Sequence, residues 1–496
     1  MAFGIFKPVL PHIVQDVSLP MYMPVGGGIS LPEYRQRPYY VVLSVDLGNT
    51  ISDCIVIGTN LETGMTYTIA STSRMTRDIR PPKDGEKLFG QTVDGIVISQ
   101  TAVIEFVRDL IRQCIKESKI DVTNDLDFVV YCTGLVATWE STDHVSTYIS
   151  SLAKGCLEAG IPGSKMVPPM SKKSLRPQLQ KYSLIDKVHY CGTIATVVPV
   201  VKIAGNTIIA NEMEGDLGMA GIKEGALHSP VDFRNPCISI DFGTILDGRI
   251  TENVPDERDH PHAATIGCYV GLGGTIADTL ARGTGQVDPV HGCAHDLFGD
   301  TIETGMFSKN EKGIVKDYVD QIHENISVSV VPRGVSSFGN VPIDEFITEN
   351  TGITVIGVDC GTNFSKKDVI RTLGGEIYKQ HGIKAFAEVV DRVCSRIALR
   401  LLDVAAEKGF VHENSTIGFS GRAAMSGRKP EYILQGITER GYYKDPRDRV
   451  VFVSSALPRG ASLMARCMAS LGRPQKPIGG VRGGKCVLGK RIKSGK

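Results

Sequence analysis

Residues 236–244, PCISIDFGT, run through β-branched Ile238 and Ile240 into an acid, Asp241, followed at once by Gly243 and Thr244. A tight turn of this kind gathers backbone N–H groups, a hydroxyl and a carboxylate at one spot. That set suits a phosphate and its Mg²⁺: amides and hydroxyl hydrogen-bond the phosphate oxygens, while the acid holds the metal or its waters. An ordinary turn after a core strand would explain one such stretch. The pattern recurs, however, in YVVLSVDLGNTISDCIVIG, residues 40–58, with Asp46, Gly48, Asn49 and Thr50. Two strand-Asp-x-Gly units about 195 residues apart imply a duplicated fold with a shared cleft. ITVIGVDCGTN, 353–363, is a third run of the same kind, around Asp359.

Two further groups of residues carry possible chemistry. His260, His262, Cys268, His291, Cys293 and His295 form the densest polar cluster, and the i, i+4 spacing of His291 and His295 would put both rings on one helical face as metal ligands beside Cys293. The bland reading is solvent-facing loop histidines. In VGLGGTIADTLARG, 270–283, Gly271 and Gly273 with Ala277 have the look of a dinucleotide-binding turn, which would make the protein an oxidoreductase; close helix packing explains the small residues equally well.

These residues need a scaffold. The periodicity predicts a hairpin over 39–58, a third strand over 65–73, a polar loop over 74–97, an amphipathic helix over 99–118 and a buried strand over 125–135. Strand, strand, strand, helix, strand is the order of a ribonuclease-H-like unit. A helix over 144–159 and a strand-like run over 188–201 follow, and 211–230 reads only as glycine-rich connection. The second unit has its return strand after a turn at Asp247 and Gly248. A helix opens at 365–368 with a capping box, a long amphipathic helix covers 385–408 with Gly409 as its stop, and a short strand and a helix opened by Pro430 occupy 415–434. A last strand, RVVFVSS, leads into a helix rich in small residues.

At 496 residues the chain needs more than one core. The expected division is an extended arm (1–38), a first ribonuclease-H-like domain with insertions (39–235), a second (236–471) and a basic glycine-rich tail (472–496). With 55 basic against 54 acidic side chains and 42% hydrophobic residues, composition gives no electrostatic case for nucleic acid as the main partner. Apolar runs are too short to span a membrane, and the start lacks a secretory cleavage site, so a cytoplasmic protein is expected. The twelve cysteines form no C-x-x-C pair and read as reduced, buried thiols. The tail carries eight basic residues and no acid, an arm suited to docking an acidic partner.

The loops also carry a resemblance. Asp46-Leu-Gly-Asn-Thr, Asp241-Phe-Gly-Thr and Gly418-Phe-Ser-Gly421 fall in the order of the two phosphate loops and the adenosine loop of the superfamily of acetate and sugar kinases, heat-shock ATPases and actin. The SKKDV run before a long helix is similar to the ATPase part of reductive activators of corrinoid proteins. Over nearly its whole length the chain resembles the archaeal methanogenesis marker protein 14 family. The resemblance implies an α/β fold of duplicated actin-like ATPase domains with a nucleotide cleft. In it Asp46 and Asp241 would hold Mg²⁺ and the attacking water, Gly48, Asn49, Thr50, Gly243 and Thr244 would cradle the β- and γ-phosphates of ATP, and Gly418, Ser420 and Gly421 would border the adenosine. It further implies an ATP-driven role in activating or assembling a nickel or corrinoid enzyme of methane formation. Two departures stand out: the adenosine loop separates its glycines, and no iron–sulfur ligand motif is present. A small-molecule kinase, a nicotinamide-dependent dehydrogenase and an inert scaffold remain the alternatives.

Overall fold

The computed structural model describes residues 10–15, 39–60, 66–132, 134–139, 141–166, 193–195, 210–254, 262–299, 307–343 and 353–463. In chain order the strands are Ile13–Val14 (β1), Tyr39–Leu47 (β2), Ile51–Asn60 (β3), Thr66–Met75 (β4), Leu88–Gln91 (β5), Val97–Ser99 (β6), Phe128–Cys132 (β7), Thr193–Ala195 (β8), Cys237–Phe242 (β9), Ile245–Val254 (β10), His262–Leu272 (β11), Ile326–Val330 (β12), Ser337–Phe338 (β13), Val341–Pro342 (β14), Thr354–Cys360 (β15), Thr416–Ser420 (β16) and Val450–Val453 (β17). The helices are Gln100–Ser118 (α1), Thr142–Glu158 (α2), Ala210–Gly225 (α3), Thr275–Gly283 (α4), Ala294–Phe298 (α5), Lys309–His323 (α6), Lys367–Glu407 (α7), Arg422–Met425 (α8), Lys429–Arg440 (α9) and 456–463 (α10).

Among the described residues the first sheet has the order β4-β3-β2-β7-β8, and the second β1-β17-β16-β9-β10-β11-β15-β12. Within the second, β11-β10-β9-β16-β17 repeats the first sheet's arrangement. In each case an antiparallel meander of three strands has its first strand flanked by two parallel ones. The first strand of each meander, β2 or β9, is therefore central, and its C-terminal end carries the acid.

The amphipathic pattern of α1 is realised: Val103, Phe106, Val107, Leu110, Ile111 and Cys114 are buried against the first sheet, and Ser99 caps the start by accepting from Ala102 N. A larger core joins β9–β11, α4 and the second half of α7, through Val389, Val393, Ile397 and Leu401. Lys408 ends that helix and Gly409 follows at φ 78°.

Several expectations are corrected. Residues 210–225 are not a connection but α3. Its four glycines, each about 1 kcal/mol worse than alanine in an isolated helix, disguise it at the level of propensity. Tertiary packing reverses their meaning, because a β-carbon at Gly221 would stand 1.8 Å from the Ala456 carbonyl oxygen, and one at Gly460 would stand 1.8 Å from that of Leu217. The polar segment 74–97 contains the short hairpin β5–β6. The return strand of the second meander begins at Ile245, so its turn is Gly243–Thr244, while Asp247 and Gly248 lie within β10 opposite Asp241 and Ile240. Helix α7 starts at Lys367 without a side-chain cap and is broken at Gly382, which has φ 75°. Of the expected arm, 10–15 are described, with β1 pairing β17; the 472–496 tail and most of 188–201 lie outside the described residues.

Candidate active site

Asp46 and Asp241 occupy equivalent places at the ends of β2 and β9. Across each hairpin stands another acid, Asp53 opposite Asp46 and Asp247 opposite Asp241, a symmetry that no local motif signals. The two turns meet directly, as Thr244 Oγ1 donates to Thr50 Oγ1 at 2.8 Å. Behind Thr50, Thr76 holds the loop by donating to the Gly48 carbonyl (2.8 Å) and through its own N–H to the Thr50 carbonyl (2.9 Å). Behind Thr244, the turn after β11 supplies Gly274 N–H to the Gly243 carbonyl (2.7 Å), and Thr275 Oγ1 to the Thr244 carbonyl (2.7 Å).

This second support answers the dinucleotide reading. A β-carbon at Gly273 would stand 2.4 Å from the Gly243 oxygen, so the glycine turn is filled by the Asp241 loop, and the Thr275 N–H at the start of α4 is bonded to Thr244. Close packing accounts for the small residues, and no room is left there for a pyrophosphate.

The other anticipated residues divide. Ser420 pairs with Asp241 across β16 and β9, and its hydroxyl hydrogen-bonds the Asp241 carboxylate. Gly421 lies against Phe242 and Gly243. Gly418 instead faces α3, where a β-carbon would meet Ile222 at 2.3 Å and the Phe233 ring, so it is a packing position. The Asn49 side chain is committed to structure: Nδ2 donates to the Gly134 carbonyl (2.9 Å) and Oδ1 accepts from Val93 N (2.9 Å). Only its backbone remains for a ligand. The Asp359 carboxylate accepts N–H groups of its own loop, from Asn363 (2.8 Å) and Phe364 (2.9 Å), which makes the third motif a structural turn.

Burial pushes Asp46 up to about 8, and the negative charges of Asp53 and Asp241 add to the shift against a backbone N–H of Gly134 that lowers it. Burial likewise pushes Asp241 up to about 6, opposed by the Ser420 hydroxyl. Asp46 Oδ1 is buried with no hydrogen-bond partner. An orphaned carboxylate oxygen on an acid that feels the charge of its neighbours is what a divalent cation would complete. Folded Asp46 holds its proton to about pH 8, whereas the unfolded chain releases it near 3.8. Between those values the folded state binds more protons, so its stability falls as pH rises. Asp46→Asn should remove that component: in chelator at pH 8 the variant should exceed the parent by several kcal/mol, and near pH 4 the difference should vanish. Thermal melts with equal pH slopes for the two proteins would reject this.

Beside the turns the two sheets exchange ion pairs of opposite polarity. Arg77 Nη1, following β4, donates to Asp296 Oδ2 (2.7 Å), and Arg282 Nη2, on α4, donates to Asp94 Oδ1 (2.8 Å), a pair with both side chains largely buried. Here the expected metal cluster takes another form. Cys293 is buried as the N-cap of α5, burial pushes its thiol up to about 12, and its N–H is bound to Asp296 Oδ2. His291 precedes the five-residue helix that holds His295. Among the described residues no group of three His, Cys, Asp or Glu side chains could hold a metal ion. His260 lies outside them. Cys54, Cys114, Cys132, Cys156, Cys237, Cys360 and Cys394 are buried. No helix among the described residues is long and apolar enough to cross a membrane.

An uncharacterized protein of Methanocaldococcus jannaschii is 42% identical over 465 residues, covering 94% of this chain and 93% of its own. One of Methanothermobacter thermautotrophicus is 43% identical over 470 residues, covering 95% and 85%. Among solved structures, a reductive activator for corrinoid, iron-sulfur protein aligns with a TM-score of 0.35 at 12% identity over 90% of this chain, which spans 62% of the activator's length. A ROK family glucokinase from Streptomyces griseus, in complex with glucose and AMPPNP, aligns with a TM-score of 0.32 at 12% identity over 86% of this chain and 99% of its own. Residues 39–495 match the family described as "Uncharacterized protein conserved in archaea (DUF2114)", and the chain belongs to that family.

Proposed function

We propose that the chain is two ribonuclease-H-like units of the actin-like ATPase type which bind Mg²⁺ and ATP between the Asp46 and Asp241 turns and hydrolyse the ATP. The observation that carries this reading is the meeting of the two equivalent turns through Thr50 and Thr244, with Asp46 and Asp241 close enough for their charges to interact. Phosphoryl transfer demands positioning and charge neutralisation more than covalent chemistry, and turn amides, hydroxyls and paired carboxylates supply both. Asp46 and Asp241 would hold the metal, which when bound neutralises phosphate charge. Asp241, kept ionisable by Ser420, is the group that orients the attacking water. Because the turns touch, a polyphosphate must part them to enter, so nucleotide binding works as a conformational switch between the sheets.

The downstream role rests on the family resemblance carried by the three loops. An ATP-driven movement in a sequence without an iron–sulfur ligand motif suits an accessory step in activation or assembly of a redox metalloenzyme of methanogenesis, such as a nickel or corrinoid enzyme, with the basic tail as its docking arm.

Calorimetry tests the first part. Mg·ATP should bind, and chelating the divalent ion should weaken binding at least about tenfold, since bare carboxylates repel the triphosphate. Asp241→Asn should lose at least about 100-fold in turnover while nucleotide affinity stays within about fivefold. No heat of binding with Mg·ATP at pH 8 would end the reading, and near-normal turnover of the variant would remove Asp241 from its water-orienting role.

A further inference from the structure

Arg422 directly follows Gly421 and opens α8. Gly421 has φ 82°, and a β-carbon there would stand 2.3 Å from the Phe242 carbonyl carbon and 2.7 Å from the Gly243 nitrogen, so the backbone at 421 rests on the Asp241 turn. Ala423 in turn faces Gly274, whose N–H binds the Gly243 carbonyl. Arg422 thus springs from a segment folded over the turn. Its Nη1 is buried and has no hydrogen-bond partner. Arg371 and Arg459 also have an orphaned nitrogen, yet each sets another on an acceptor, Pro289 O or Thr66 Oγ1. Among the described residues the Arg422 guanidinium has no such anchor.

A buried guanidinium nitrogen left without an acceptor at that place is a cost to the fold, which points to a ligand. Asp46 stands opposite Asp53 and Asp241 opposite Asp247, so a polyphosphate entering here meets acids on the protein side. We propose that Arg422 is an anion-binding residue which takes phosphate oxygens of a polyphosphate bound at the Asp241 turn. A guanidinium suits this because its planar fork matches two phosphate oxygens at once. The assignment rests on the nucleotide reading only for the adenosine end of the ligand.

The test titrates full-length parent, Arg422→Met and Arg422→Lys with Mg·ATP, Mg·tripolyphosphate and adenosine, and melts each protein without ligand. The expected result is a loss of about 10- to 100-fold in ATP and tripolyphosphate affinity for Arg422→Met, partial recovery in Arg422→Lys, and unchanged adenosine affinity. The ligand-free melting temperature of Arg422→Met should equal or exceed the parent's. Parent binding of tripolyphosphate but not ATP, with loss in Arg422→Met, would end the ATP reading and leave Arg422 standing. ATP affinity within twofold of the parent in Arg422→Met would overturn the Arg422 assignment alone. A fall in its ligand-free melting temperature would assign Arg422 to the fold instead and likewise overturn it. Binding of neither anion by the parent would overturn both.

Discussion

Alanine at Gly221 is expected to cost more than about 3 kcal/mol of stability. The added β-carbon would stand 1.8 Å from the Ala456 carbonyl oxygen, a backbone atom that cannot rotate away. Relief requires α3 and α10 to separate, and the same crossing is locked from the other side by Gly460 against Leu217. Gly313→Ala provides the contrast. That residue lies on the exposed face of α6 with nothing within 4 Å of its β-carbon, so alanine there should stabilise by about 0.5–1 kcal/mol through helix propensity. Denaturant midpoints shifting in the same direction for both variants would show that propensity, not the crossing, governs Gly221.

Arg459→Met should cost about 3–5 kcal/mol. Arg459 is almost wholly buried, with Nη1 2.6 Å from Thr66 Oγ1 and 3.4 Å from Glu224 Oε2, while Glu224 in turn accepts the Thr66 N–H (2.6 Å) and hydroxyl. Removing the arginine leaves a buried carboxylate without its cation, and an uncompensated charge costs more than the lost attraction itself. Adding Glu224→Gln should therefore recover part of the loss, because the amide can still accept from Thr66 without a charge to desolvate. Simple additivity of the two substitutions in thermal melts would count against a coupled network.

Local pattern made half of this molecule readable. The run from Val103 to Cys114 repeats at helical spacing, and Asp46 and Asp241 follow apolar runs that end in Gly and Thr or Asn, so residue order alone locates both turns. What stayed hidden depended on partners remote in the chain. Glycine at 215, 218, 221 and 225 argues against a helix until Ala456 and Val453 are placed beside it. Asn49 has a phosphate-loop residue's chemistry, but its amide is already claimed by Val93 and Gly134. Asp359 repeats the motif of Asp46 and Asp241, and only the folded loop reveals that its oxygens are filled. Arg77, Asp94, Arg282 and Asp296 had no local signal at all, since each pair joins residues about 190–220 positions apart in the chain.

The pairing of β1 with β17 also bears on how the chain is made. Ile13 and Val14 lie beside Phe452 and Val453, and Ser454 Oγ donates to the Val14 carbonyl across 440 positions. A ribosome adding about 5–20 residues per second needs roughly 20–90 s to cover that distance. Thr66 waits almost as long for Arg459. During that interval the edge of the second sheet and the buried acid of α3 exist without their partners, and nascent chains are then at greatest risk of pairing with each other. Slow elongation or scarce holding chaperones should therefore lower the yield of folded protein more than any change in its final stability.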